Sequence, residues 1–346
     1  MEKTITDIAN ELGVSVSTVS KVINNRTGVG PELRKRICDY IEEVNYRPNA
    51  IAQSMIKGRT NIVGLVFGDV RNPFYADLLY YIQYELRQHG YMVMAFNSDY
   101  EAEKEVEFIN QAIQSRYAGL MLITAKGDSM LRAISDIRAA KIPLVLVNRT
   151  LKDFNGSFVS VDNFQAGYMA AKHLIELGHR RLAFITGNME SSAGYHRFLG
   201  YKQALENYDI EFEESQVYSG DLKFDTGIRI AEQYVQALDL NPTGIVICND
   251  LMAMGFIDYS KKHGVKIPEQ LSVISFDNIT YADLYGMELT TVDQHLQRMC
   301  ECAVKTLLQQ IENPGNTEIL RTMIEPTLVV RGTTARPTRE SPLPEE

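Results

Sequence analysis

No stretch of the chain is apolar for the length of a bilayer span, and the opening MEKTITDIAN has no apolar run of the export-signal type. The expectation is a cytoplasmic protein with no membrane partner. Cysteine is sparse: Cys38, Cys248, Cys300 and Cys302 form no CxxC pair and have no histidine at metal-ligand spacing. Reduced thiols in a cytosolic core fit this better than a disulfide framework or a zinc site. Cys300 and Cys302 lie two apart on a helical stretch, so they point to different faces. The six histidines show no HExxH arrangement, and neither a glycine-rich phosphate loop nor a nucleophile elbow is present. These absences disfavour an enzyme, and no cofactor or metal is expected.

What is present is ordinary globular material: 45% apolar and 23% charged residues over 346 positions, enough for two or three domains. The net charge of -9 conceals an asymmetry. Residues 1–60 hold nine Lys/Arg against seven Asp/Glu, and the remainder 26 against 37. A mildly basic head on an acidic body is compatible with nucleic-acid contact through the head alone.

The head reads as three short helices. Thr4 and Asp7 make a capping-box start, and Ile5, Ile8, Ala9 and Leu12 then recur at helical spacing, which predicts a helix over 5–12. Gly13 permits a tight turn. Ser15 caps a second helix over 16–24, with Val19, Val22 and Ile23 inward and Val16, Ser17, Ser20 and Lys21 outward. A third begins near Pro31 and carries Leu33, Ile37, Tyr40, Ile41 and Val44 on its inner face. Such a helix-turn-helix offers a small polar helix N-terminus to the major groove. The same pattern also suits a generic three-helix bundle.

From Ile62 onward short apolar runs alternate with amphipathic stretches. The predicted strands are 62–67, 91–96, 118–124, 142–147 and 158–161, then 181–186, 244–248 and 271–276. That alternation predicts an α/β body of two parallel sheets covered by helices, hence two lobes with a cleft between them. Ligands bind beyond strand ends in such sheets. The residues to inspect there are Asp69, Asn72, Phe74 and Tyr75, then Asn148 and Arg149, Asp162, Arg197, Asn249 and Asp250, and Asp277 and Asn278. Carboxylates, amides, an arginine and an aromatic face suit a polyol, although Asp162, Asn249 and Asp277 also stand where helix caps are expected.

The run TITDIANELGVSVSTVSKVINN, with GVGPELRKRICDYIEEVNYRPNAIAQSMIKGRTNIVGLVF after it, resembles the N-terminus of the LacI family of bacterial transcriptional regulators. VRNPFY, VSVDNFQAGYMAAKHLIELGHRRLAFITG, NDLMAMG and LTTVDQ extend the likeness to about Gly332. The resemblance implies a small all-α head, residues 1–46, a hinge helix at 47–60, and a periplasmic-binding-protein-like body at 61–332. Lobe one would take about 61–161 and 292–320 and lobe two about 162–291 and 321–332, leaving 333–346 as a disordered tail. It further implies a homodimer on a near-palindromic double-stranded DNA operator, controlled by a small-molecule effector such as a sugar.

By the same resemblance Val16, Ser17 and Lys21 read bases, Thr18 and Ser20 position the helix on phosphates, and Ile5, Asn24 and Asn25 lie near the DNA backbone. Lys21 stands where arginine is common. Asn49 and Ala52 would line the minor groove beside Met55, a wedge where leucine is common. Effector contacts are implied at Asn72, Phe74, Tyr75, Asn148, Phe164, Arg197, Leu222, Asn249 and Asp277. Leu222 replaces an aromatic side chain found in some members. The proline-containing tail has no heptad pattern, so a dimer is expected rather than a coiled-coil tetramer. Helices near 72–89 and 252–263 are candidate interface, although Leu78, Leu79, Ile82 and Leu86 could equally be core. A free sugar-binding transport protein is the main competing class, and the missing export signal and the 60-residue head count against it.

Overall fold

Local chemistry sets the helices of the head. Thr4 Oγ1 accepts from the Asp7 amide (3.3 Å) while the Asp7 carboxylate accepts from the Thr4 amide (2.8 Å), a closed capping box that opens α1 (Ile5–Leu12). Gly13 ends it at φ 64°, a left-handed conformation costly to any residue with a β-carbon. Ser15 Oγ accepts from the Thr18 amide at the start of α2 (Val16–Ile23), and Pro31 opens α3 (Pro31–Glu43). Ile8, Ala9, Leu12, Val19, Val22 and Ile37 form a small core. The computed structural model describes residues 3–23, 26–46, 58–124, 128–237, 242–315 and 318–338. Its two compact units are Met1–Thr60 and Asn61–Glu346.

In the second unit β1 (Ile62–Phe67), α4 (Pro73–Gln88), β2 (Met92–Asn97), α5 (Ala102–Gln114), β3 (Gly119–Leu122), α6 (Asp128–Ala139), β4 (Leu144–Val147) and β5 (Ser157–Val161) alternate as the sequence predicts. The chain then crosses to a second sheet. That lobe contains α7 (Asn163–Glu176), β6 (Leu182–Ile185), α8 (Ser192–Asn207), β7 (Val217–Tyr218), α9 (Phe224–Gln236), β8 (Gly244–Ile247), α10 (Asp250–Lys262), β9 (Ser272–Asp277) and β10 (Thr290–Asp293). It returns for α11 (Leu296–Glu312) and β11 (Arg321–Ile324), and crosses a third time into β12 (Thr327–Val329). The sheet orders are β11-β5-β4-β3-β1-β2 and β12-β10-β9-β8-β6-β7, and among the described residues only the β10–β12 pairing is antiparallel.

Both faces of each sheet are covered over its central strands, which is why those strands read as continuous apolar runs. Val63, Leu65 and Phe67 of β1 join Leu78 and Ile82 of α4, while Val66 points the other way, toward Phe108 and Ile109 of α5. Leu78, Ile82 and Leu86 are fully buried and thus core; Leu79 is half-buried. The outward face of α4 instead carries Tyr80 and Tyr84, 63% and 55% exposed.

Two boundary expectations need correction. Residues 321–324 pair with β5 in the first lobe, Arg321 opposite Phe158 through Ile324 opposite Val161. The last crossing therefore falls after Ile324, not at 320, and the chain returns only once β11 has completed the edge of the first sheet. The start of the expected tail is also ordered. Thr333 is 1% exposed; its hydroxyl donates to the Val273 carbonyl (2.7 Å) and its carbonyl accepts from the Val273 amide (2.8 Å). The Ala335 carbonyl is held by His179 Nε2 at 3.0 Å. Hydrogen bonds from threonine and alanine backbone anchor this segment despite its prolines; 339–346 lie outside the described residues.

Candidate functional site

On the head, α2 presents Val16, Ser17 and Lys21 to solvent, whereas Thr18 and Ser20 are half-buried. Val16 is 41% exposed although its helix neighbours Val19 and Val22 form core, so its methyl groups serve no packing purpose there. The first turn of α2 holds no acidic residue, and its amides and dipole favour a phosphate. Ser15 and Ser17 share a hydroxyl contact of 2.8 Å at that end. Ile5 packs partly against the head core. Asn24, Asn25, Asn49, Ala52, Met55 and most of the implied hinge lie outside the described residues.

In the second unit, strand ends of both sheets converge on one narrow cavity of about 30 Å³. Asn72, Phe74 and Tyr75 arrive after β1, Asn148 and Arg149 after β4, Gly187, Asn188 and Ser191 after β6, Leu222 after β7, Asn249 after β8, Asp277 at the end of β9 and Gln294 after β10. Eight of the nine residues implied as effector contacts are thereby brought together. The ninth, Phe164, sits on the first turn of α7, 38% exposed and outside the lining.

Several of these side chains also shape the cleft. Asn72 caps α4, its Oδ1 accepting from the Phe74 amide (3.1 Å). Asn249 caps α10 and donates through Nδ2 to the Leu222 carbonyl (3.1 Å). Asp162 caps α7. Asp277 is no cap: it ends β9 at φ 118° and receives the Gln294 amide, whose Oε1 in turn accepts from Asn148 Nδ2 at 2.7 Å. Asn148 and Leu222 also have left-handed φ values, 64° and 71°. Non-glycine residues held there gather at ligand clamps. Gln294 is the functional candidate that sequence reasoning passed over. It stands at the end of LTTVDQ, where a four-residue strand ends without an obvious turn signal.

Arg197 is 5% exposed and rigidly held: Nε donates to Asn163 Oδ1 (2.9 Å), Nη1 to the Cys248 carbonyl (2.6 Å), and Nη2 lies 3.7 Å from Asp277. Its guanidinium also covers the Phe276 ring at 4.6 Å. Burial pushes the Asp277 carboxyl up to about 8, with Arg197 only partly opposing the rise. Tyr75 stacks on Phe67 at 5.6 Å, meets Phe74 edge-on at 5.3 Å and accepts from Arg149 Nη2 at 3.2 Å. Arg149 Nε and Nη1 and Ser191 Oγ are buried with no hydrogen-bond partner among the described residues, and all three belong to residues lining this cavity. Buried donors without acceptors are rare and costly. The cleft thus has polar capacity to spare for a ligand.

A groove-reading head and a two-lobed binding body define a helix-turn-helix transcriptional regulator. Comparison with known proteins narrows this. Residues 4–49 match the model of bacterial regulatory proteins of the lacI family, and residues 171–334 that of a periplasmic binding protein-like domain. The HTH-type transcriptional regulator DegA of Bacillus subtilis (strain 168) is 32% identical, over 97% of this chain and 99% of its own. The structure of the transcriptional regulator CelR with cellobiose is 27% identical at a TM-score of 0.71, covering 96% and 99% of the two chains. The lac repressor dimer bound to operator and the anti-inducer ONPF superposes at a TM-score of 0.84 with 22% identity, covering 97% and 100%, and shares the fold. The chain belongs to the LacI family; its relatives regulate transcription and are not enzymes. No helix among the described residues is long and apolar enough to cross a membrane.

Proposed function

We propose that the protein is a cytoplasmic repressor of carbohydrate-utilisation genes, bound as a homodimer to a near-palindromic operator and controlled by a sugar effector held between its lobes. The observation that carries the effector half is the cleft, where amides, Arg197, Asp277 and aromatic rings from seven strand ends meet around unsatisfied donors. The similar regulator solved in complex with cellobiose supports a sugar. Val16, Ser17 and Lys21 read base edges, Thr18 and Ser20 contact phosphates, and Ile5, Asn24 and Asn25 lie near the backbone. The hinge over 47–60 brings Asn49, Ala52 and Met55 to the minor groove at the operator centre.

Three crossings join the lobes, so a ligand that binds open and closed arrangements unequally changes DNA affinity by that difference. A two-fold dimer needs two half-sites, and the exposed Tyr80 and Tyr84 on α4 offer an apolar pairing face in the first lobe. The test is selection of bound duplexes from a random DNA pool, with and without pooled sugars. Enrichment of one palindrome whose recovery changes with a sugar is expected; enrichment of asymmetric sites, or of nothing in either condition, overturns the proposal.

A further inference from the structure

Arg149 carries a buried charge that no directly bonded acid holds. The residue is 4% exposed, and an arginine cannot shed its proton to escape burial. Its one hydrogen bond goes to a neutral phenol, Tyr75 Oη at 3.2 Å, and its guanidinium stands 5.4 Å from the Tyr100 ring. Nε and Nη1 have no acceptor. Among the described residues no carboxylate lies within ion-pairing distance of it; the buried Glu105 and Asp277 carboxylates attract it only through space, and each nearby acid has its own bonded partners. Asp69 is bound by Arg71 (2.7 Å), Glu105 accepts from Thr124 Oγ1 (2.7 Å) and Ser98 Oγ (3.3 Å), and Asp277 faces Arg197 and Gln294. The cavity therefore holds two buried guanidinium groups against one carboxylate. Ser191 Oγ adds a third unsatisfied donor on the same lining.

We infer that the effector is an acidic sugar, whose carboxylate or phosphate group sits against Arg149. Resting on the sugar-effector proposal above, this names the effector's charge. Ring hydroxyls could accept from Nε or Nη1, but only an anion also gives the buried guanidinium a directly bonded counter-charge. The planar fork of a guanidinium matches a carboxylate or phosphate edge with two parallel hydrogen bonds. Arg197, with both its Nε and Nη1 already bonded, is left to orient the sugar ring.

The experiment measures thermal unfolding of the full-length protein at neutral pH with matched sets: glucose, glucuronate and glucose 6-phosphate; galactose and galacturonate; ribose, ribonate and ribose 5-phosphate. An acidic member is expected to raise Tm where its neutral parent at equal concentration does not, and the carboxylate and phosphate arms identify which anion fits. Arg149→Gln should weaken that ligand by about 30-fold or more, the scale for truncating a buried charge pair, and Arg149→Lys should restore part of the loss. Independently of any ligand, Arg149→Met should raise the Tm of the ligand-free protein, because an unpaired buried cation is removed. Neutral parents binding as tightly as the acids, an Arg149→Gln variant that keeps full affinity, or a lowered Tm for Arg149→Met would each overturn the inference. No response to any of these sugars, with sequence-specific DNA binding intact, overturns the acidic sugar and leaves the DNA-binding half of the proposed function standing.

Discussion

A β-carbon on Gly167 would fall on the carbonyl oxygen of Arg197. The helices α7 and α8 cross backbone against backbone at this point, and Gly200 meets the Phe164 carbonyl in the same way one turn further along. The crossing fixes the depth at which Arg197 enters the cleft. Gly167→Ala is therefore expected to destabilise the body by about 1–3 kcal/mol through overpacking and to displace Arg197 enough to abolish the effector response. Thermal unfolding and effector-dependent DNA binding check both. Gly315→Ala, which meets nothing within 4 Å, should leave both unchanged.

Arg197→Ala leaves Asn163 Oδ1 and the Cys248 carbonyl without their donor and Asp277 without its cation. A loss on the order of 3 kcal/mol in stability is expected, the usual cost of breaking a buried pair. Effector binding should vanish while ligand-free DNA affinity persists. Calorimetric titration of the effector beside a DNA mobility assay separates the two; retained effector binding would remove Arg197 from the site.

The head allows stability and specificity to be told apart. Thr4→Ala opens the capping box of α1, so it should cost about 1 kcal/mol and weaken binding to every DNA sequence alike. Val16→Ala removes exposed methyl groups that support no core. It should leave head stability unchanged and relax base preference at one symmetry-related pair of operator positions, by about 1–3 kcal/mol per base pair. Parallel DNA selections with the two variants provide the check.

His179 gives the body an acid-sensitive point. It is 1% exposed, with Nδ1 2.8 Å from Thr243 Oγ1 and Nε2 3.0 Å from the Ala335 carbonyl. Burial pulls its pKa from the ordinary 6.5 down to about 4. The unfolded chain then binds more protons between those values, so stability is full above pH 6.5 and falls as pH drops toward 4. Urea unfolding across this range should show the decline, and His179→Gln should flatten it. An unaltered slope in the variant would place the sensitivity elsewhere.

The long elements were legible because their signals are local. The α1 capping box, the Gly13 turn and the apolar runs of β1, β4 and β8 are each written within a dozen residues. The short strands β7, β10, β11 and β12, two to four residues each, carry too little pattern to be seen, and with β11 went the true position of the last crossing. Cleft residues could be found by their place after strand ends. The cap at Asn249 could be foreseen because it is local, but what the others do could not: that Gln294 links Asn148 to Asp277 and that Arg149 lacks a bonded acid depend on contacts between distant segments, 146 residues apart for Asn148 and Gln294 and 74 for Arg149 and Tyr75.

The three crossings between lobes also constrain how the protein is made. The first sheet is seeded by β1 to β5 but lacks α11 and β11 until residue 324 has left the ribosome. At about 5–20 residues per second, roughly ten to thirty seconds separate the synthesis of β5 from that of β11. Throughout that interval the β5 edge, with Val159 and Val161, has no neighbour. The second lobe waits more briefly, since β10 ends at Asp293 and its edge partner β12 begins at Thr327, but it too is completed only after β11. Neither lobe can mature ahead of the other, so a chain cut before β11 yields two incomplete sheets rather than one finished lobe, and the nascent body depends on protection of an open strand edge until β11 has been made.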